Sequence, residues 1–195
     1  MNIPLPFWNN ASPKRKRIYS IIFMFILAVT ATLLGTLVQL SPADAKAISD
    51  SVNKITADNP TYTSRVAAIF INNFFLCLLM FIPLVGSVLG LYVLFSTGVG
   101  IRAILDTQSV SGAAASTVPS LSPTLAVLGL IGIGLTFLLE YVSYSIGIAE
   151  SVWLYRRLTQ RRWRELKNTG ILIGVVAALL ITGAVVETWV ITAIG

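Results

Sequence analysis

The longest apolar run in this sequence covers residues 66–105 and carries one charge, Arg102. As a helix its 40 residues extend about 60 Å, twice the roughly 30 Å hydrocarbon core of a bilayer. A single membrane span cannot hold it. The run reads as two spans, or as one span plus a re-entrant piece. Its break lies at Pro83, which lacks a backbone donor, and Gly86, which relaxes the geometry. The spans fall at about 65–82 and 85–105.

The rest of the chain follows the same pattern. Only 11% of the 195 residues are charged and 55% are hydrophobic, against roughly 25% charged in a soluble domain. A chain of mean hydropathy +0.82 cannot solvate its own surface. Further apolar stretches place spans at about 18–40, 124–154 and 170–194, giving an all-α polytopic transmembrane bundle of five spans. The first stretch exceeds the 7–15 residues or so of a signal-peptide core, so an anchor is expected.

Between the first two spans, the segment 41–64 begins SPADAKAISDSV. Ser41, Pro42 and Asp44 form a Ser-x-x-acid helix start. Ala45, Ile48, Val52 and Ile55 recur at helical spacing, predicting a short amphipathic helix that lies on the bilayer or docks a partner. The stretch 106–123 reads as a polar loop of small residues. The fourth span is expected to continue into a basic helix, within a basic segment at 155–168.

Fourteen basic residues against eight acidic give a net charge of +6, but their placement argues against nucleic acid. Lys14, Arg15, Lys16 and Arg17 precede the first span. Arg156, Arg157, Arg161, Arg162, Arg164 and Lys167 lie between the last two. Such clusters read as topology signals and contacts to anionic lipid headgroups. With the N-terminus cytoplasmic, both clusters fall inside, leaving Lys46, Lys54 and Arg65 outside. A plasma-membrane protein with an extracytoplasmic C-terminus is expected. Trp153 and Trp163 suit one interface and Trp189 the other.

Ionisable and polar residues inside spans are the functional candidates. Counting depth from the span ends pairs Arg102 with Glu187 rather than Glu140, with Asn72 and Asn73 close to that pair. Adjacent asparagines diverge by about 100° on a helix, so one faces the bundle and the other a second subunit. The same count puts Glu140 in the inner half, sharing a helix face with Ser143, Tyr144 and Gly147. That face is either a proton or cation site, or a buried hydrogen-bonded acid. GSVLG (Gly86, Gly90) and GILIG (Gly170, Gly174), with Gly129, Gly132 and Gly134, favour close helix packing.

The chain has no histidine, and its one cysteine, Cys77, lies within a span. This excludes an internal disulfide, the usual His/Cys metal sites and Ser–His intramembrane proteolysis. No glycine-rich phosphate loop is present. Catalysis by this chain alone is not expected, nor is any cofactor beyond bound lipid.

Four features, in order, resemble the stage II sporulation protein M family: the basic residues before the first span; the INN of residues 71–73; the P-x-x-G turn leading to FSTGVGIRAIL; and the acids Glu140 and Glu187. The resemblance covers roughly residues 15–192. It implies an integral membrane component of a larger assembly and supplies no catalytic residues. The leading expectation is a non-catalytic scaffold or accessory subunit of a membrane enzyme or cell-envelope machine. Its expected partners are other membrane subunits, anionic lipids and further copies of itself. The alternative is a small transporter or channel component using Arg102, Glu140 and Glu187.

Overall fold

A computed structural model describes residues 10–110, 123–161, 163 and 165–194. These form six helices and no strand: α1 (Pro13–Thr36), α2 (Pro42–Ala57), α3 (Tyr62–Met80), α4 (Val85–Val110), α5 (Pro123–Thr159) and α6 (Glu165–Ile194). All except α2 are long and apolar enough to cross a membrane. The molecule is a multi-pass helical membrane protein. Its spans alternate in direction, so the starts of α1, α4 and α6 and the ends of α3 and α5 share one end. That end carries Lys14–Arg17, Arg156, Arg157 and Arg161 and is called the basic end below.

Local chemistry sets the helix starts. Ser12 Oγ accepts from Arg15 N, and Pro13 opens α1, where its missing N–H costs nothing. Thr61 and Ser64 form a reciprocal capping box at α3, with Thr61 Oγ1 and Ser64 Oγ each accepting a backbone N–H at 3.2 Å. Ser41 Oγ accepts from Asp44 N and donates to Asp44 Oδ2 at 2.6 Å. The amphipathic helix α2 docks on the chain itself. It packs along α4, buries Ala45 and Ser49, and its Ser49 Oγ accepts from Thr107 Oγ1 at 3.3 Å.

Helix α5 is the central post. It touches α1, α3, α4 and α6, and from Ser143 to Ser151 every residue is buried. Met80 and Cys77 of α3, Leu94 of α4, Ala28 of α1, and Val176 and Leu180 of α6 close around Tyr141, Tyr144 and Ile148. The outer faces of all five spans carry exposed Leu, Ile, Val and Phe, as lipid contact requires.

The α3–α4 hairpin turns where Pro83 and Gly86 predict. Leu84 adopts a left-handed φ of 65°, and a Cβ on Gly86 would stand 2.3 Å from the Met80 carbonyl oxygen. Ser151 of α5 holds this turn. Its hydroxyl donates to Ile82 O at 2.6 Å and accepts from Ser87 N, while its carbonyl accepts from Leu84 N. The turn's backbone groups are thus satisfied by protein rather than water.

Two boundaries differ from the sequence expectation. The polar residues after 105 continue α4 as far as Val110. The fourth span does not run on as one basic helix. It stops at Thr159, and Arg161 takes a left-handed φ of 57° before α6 begins. The glycine pairs also behave differently. Gly170 and Gly174 face open space, as does Gly134, whereas Gly90 packs on Ile148. The closest backbone approach is at Gly35 and Gly98, each unable to take a Cβ without coming within 2.1 Å of a carbonyl oxygen on the facing helix.

Candidate functional site

Asn73 and Glu140 form the polar centre of the bundle. Asn73 Nδ2 donates to Glu140 Oε1 at 2.5 Å, linking α3 to α5. Asn72 Nδ2 donates to Asn73 Oδ1 at 3.3 Å, fixing the orientation of the inner amide. The two asparagines diverge as helical geometry demands. Asn73 is half-buried, while Asn72 is exposed on the outer face of α3 beside Ile71 and Phe75.

Helix α6 adds the second carboxyl. Gly132 of α5 backs onto Val190 and Val186, and Leu139 and Glu140 onto Gly183, so α5 and α6 run antiparallel with residues 132–140 beside 183–190. Glu187, one turn from Gly183 on the same face, comes within electrostatic range of Glu140. Both acids are half-buried. Neither has an ion-pair partner among the described residues. Thr136 sits one turn from Glu140 on the α5 face, at about the height of Glu187. Its hydroxyl is buried with no hydrogen-bond partner, and so is that of Thr188 beside Glu187.

The expected Arg102–Glu187 pair does not form. Arg102 Nε donates to Asp106 Oδ2 at 2.9 Å, one turn along its own helix. Helix α4 packs on α1, α2, α3 and α5, whereas α6 packs on α3 and α5, so the two side chains belong to different seams. The asparagines lie near Glu140 instead. Depth counting failed because α5, at 37 residues, is about 55 Å long and overshoots the bilayer. Its first residue therefore marks no fixed depth for Glu140, which lies at the middle of that helix.

Neither Ser143 nor Tyr144 hydrogen-bonds the Glu140 carboxyl, although Tyr144 comes within electrostatic range of both Glu140 and Glu187. Ser143 Oγ donates to Leu139 O at 2.8 Å, and its carbonyl accepts from Cys77 Sγ at 3.5 Å. Tyr144 is buried beside Tyr141. With Gly147, which abuts Met80, Phe81 and the Cys77 carbonyl, these residues form the seam between α5 and α3.

The basic clusters also divide. Lys14, Arg15, Arg156 and Arg161 are exposed and Lys16 half-buried, while Arg162 and Arg164 lie outside the described residues. Arg17 turns inward and makes a bidentate ion pair with Glu150, using Nε at 3.0 Å from Oε2 and Nη2 on Oε1. Glu150 is 1% exposed and also accepts from Thr169 Oγ1 at 2.6 Å, so one carboxylate ties α1, α5 and α6. Arg17 and Arg157 both stack on Trp153, the latter 4.6 Å from the ring centroid. A second three-helix tie lies deeper. Thr32 Oγ1 is 2.5 Å from the Tyr141 hydroxyl and donates to Leu94 O at 3.0 Å.

Chemically, the cluster offers two carboxyls, two amides and an unclaimed hydroxyl at mid-bundle, partly open to the side. No group of three or more His, Cys, Asp and Glu among the described residues is placed to hold a metal ion. No model of a protein family, no curated protein and no solved structure matches this chain. Fold and site together define a multi-pass helical membrane protein with an intramembrane polar cluster.

Proposed function

We propose that this chain is a non-catalytic integral membrane subunit that docks other membrane chains in a larger assembly, serving a membrane enzyme or cell-envelope machine. The reading rests on Asn72. Its amide is exposed between lipid-facing Ile71 and Phe75 near the middle of a span, and its one cross-link is to the neighbouring Asn73. Polar groups at this depth are costly against hydrocarbon and serve as contacts between transmembrane helices. A partner helix, from another protein or a second copy, supplies the missing hydrogen bonds.

The motif order shared with the stage II sporulation protein M family favours the same role, and we place the chain as a relative of that family. By the positive-inside rule the basic end faces the cytoplasm of the plasma membrane and the C-terminus lies outside. Exposed Lys14, Arg15, Arg156 and Arg161 then contact anionic headgroups. A second reading, a small transporter or channel component, is favoured by the adjacent Glu140 and Glu187.

The test is purification in mild detergent from the native membrane. The wild-type protein is expected to elute with a stoichiometric membrane partner that Asn72→Leu loses while keeping its own fold. A wild-type protein that elutes alone as a monomer overturns the docking role.

A further inference from the structure

Glu140 and Glu187 raise a question that docking at Asn72 does not answer. Two carboxyls within electrostatic range, half-buried at mid-bundle, have no basic partner among the described residues. An ionised carboxyl in so apolar a setting needs a compensating positive charge, and one monovalent cation matches one of the two. Asn73 donates to Glu140, which orients that carboxyl but brings no charge.

Thr136 indicates what kind of charge fits. A threonine or serine in a helix ordinarily satisfies its hydroxyl on the carbonyl four residues earlier. Thr30, Thr97, Ser143, Thr182 and Thr192 all do so here. Thr136 does not. Its Oγ1 is buried and unpartnered, in a residue only 7% exposed. It lies on the α5 face that meets α6, one turn from Glu140 and about level with Glu187. A proton shared by two carboxyls needs no third oxygen, whereas a dehydrated alkali cation needs several. Carboxylate and hydroxyl oxygens are the donors such a hard ion takes.

We propose that Glu140, Glu187 and Thr136 form a binding site for one sodium-sized monovalent cation between α5 and α6, with Asn73 as the residue that positions Glu140. The inference goes beyond the docking role and does not depend on a partner being present.

The test uses the full chain purified in detergent, with sodium chloride compared against choline chloride at equal ionic strength. Two readouts serve: the thermal unfolding midpoint, and the rate at which a hydrophobic carbodiimide labels Glu140 and Glu187, read by peptide mass. Sodium is expected to raise the midpoint and to slow labelling about tenfold once it exceeds its dissociation constant by that factor. Both effects should vanish in Thr136→Val and Glu187→Gln and persist in Thr136→Ser, which keeps the hydroxyl and guards against a folding artefact. Equal behaviour in sodium and choline overturns the site. So does a sodium effect that survives Thr136→Val, which marks a general salt response. Labelling that follows pH and ignores sodium overturns it in favour of a proton alone.

Discussion

Asn73 on α3 donates its amide to the Glu140 carboxyl on α5 across 2.5 Å. The bond closes the seam between two spans at mid-bundle. Asn73→Leu leaves that carboxyl oxygen without its donor and should cost about 0.6–2 kcal/mol. Asn72→Leu removes an amide from an outer face and should alter the isolated chain by no more than about 0.5 kcal/mol. Equilibrium unfolding in mixed micelles separates the two; equal losses contradict the division of roles.

Arg17 and Glu150 form the second tie, at the basic end. Glu150 is almost wholly buried, so deleting one partner strands the other's charge. Arg17→Ala and Glu150→Ala should each destabilise by about 3–5 kcal/mol. Replacing both by Met should recover most of the loss, since apolar groups of similar volume need no counter-charge. A double variant as unstable as the singles argues that the pair does more than match charge.

The glycines divide by surroundings. Gly98→Ala puts a methyl 2.0 Å from the Thr32 carbonyl oxygen, and both neighbours are backbone that cannot rotate away. The cost should be about 1–3 kcal/mol or more. Gly174→Ala meets open space and should change stability by no more than about 0.5 kcal/mol. Thermal unfolding of the two variants decides the matter.

How far the sequence revealed this arrangement depends on the range of the interaction concerned. Span number and the hairpin at Pro83–Gly86 follow from length and local backbone chemistry, which a single segment carries. Glu140's partner depends on how far two helices slide past one another, and apolar sequence records no register. Arg17 looks the same as Lys14, Arg15 and Lys16 until the fold turns it toward Glu150. Gly35 and Gly98 pair across helices, so neither stood out beside GSVLG or GILIG. Arg102's bond is legible in the spacing, since Asp106 stands four residues on, but the polar composition after 105 predicts a loop there.

The proposed orientation has its own check. The single native thiol, Cys77, is buried and should resist a membrane-impermeant maleimide. A thiol introduced by Gln160→Cys at the exposed α5–α6 turn should label only from the cytoplasmic side, in inside-out vesicles. Labelling in intact cells reverses the topology.

The central claim is that the Asn72 face meets another membrane chain. A photo-crosslinking residue placed at position 72 in the native membrane tests it most directly, with position 130, a lipid-facing leucine that is 72% exposed, as control. Position 72 should yield one discrete adduct with a membrane protein, recovered again when that protein carries the tag, while position 130 yields lipid adducts alone. If position 72 gives nothing beyond what position 130 gives, the docking account is wrong.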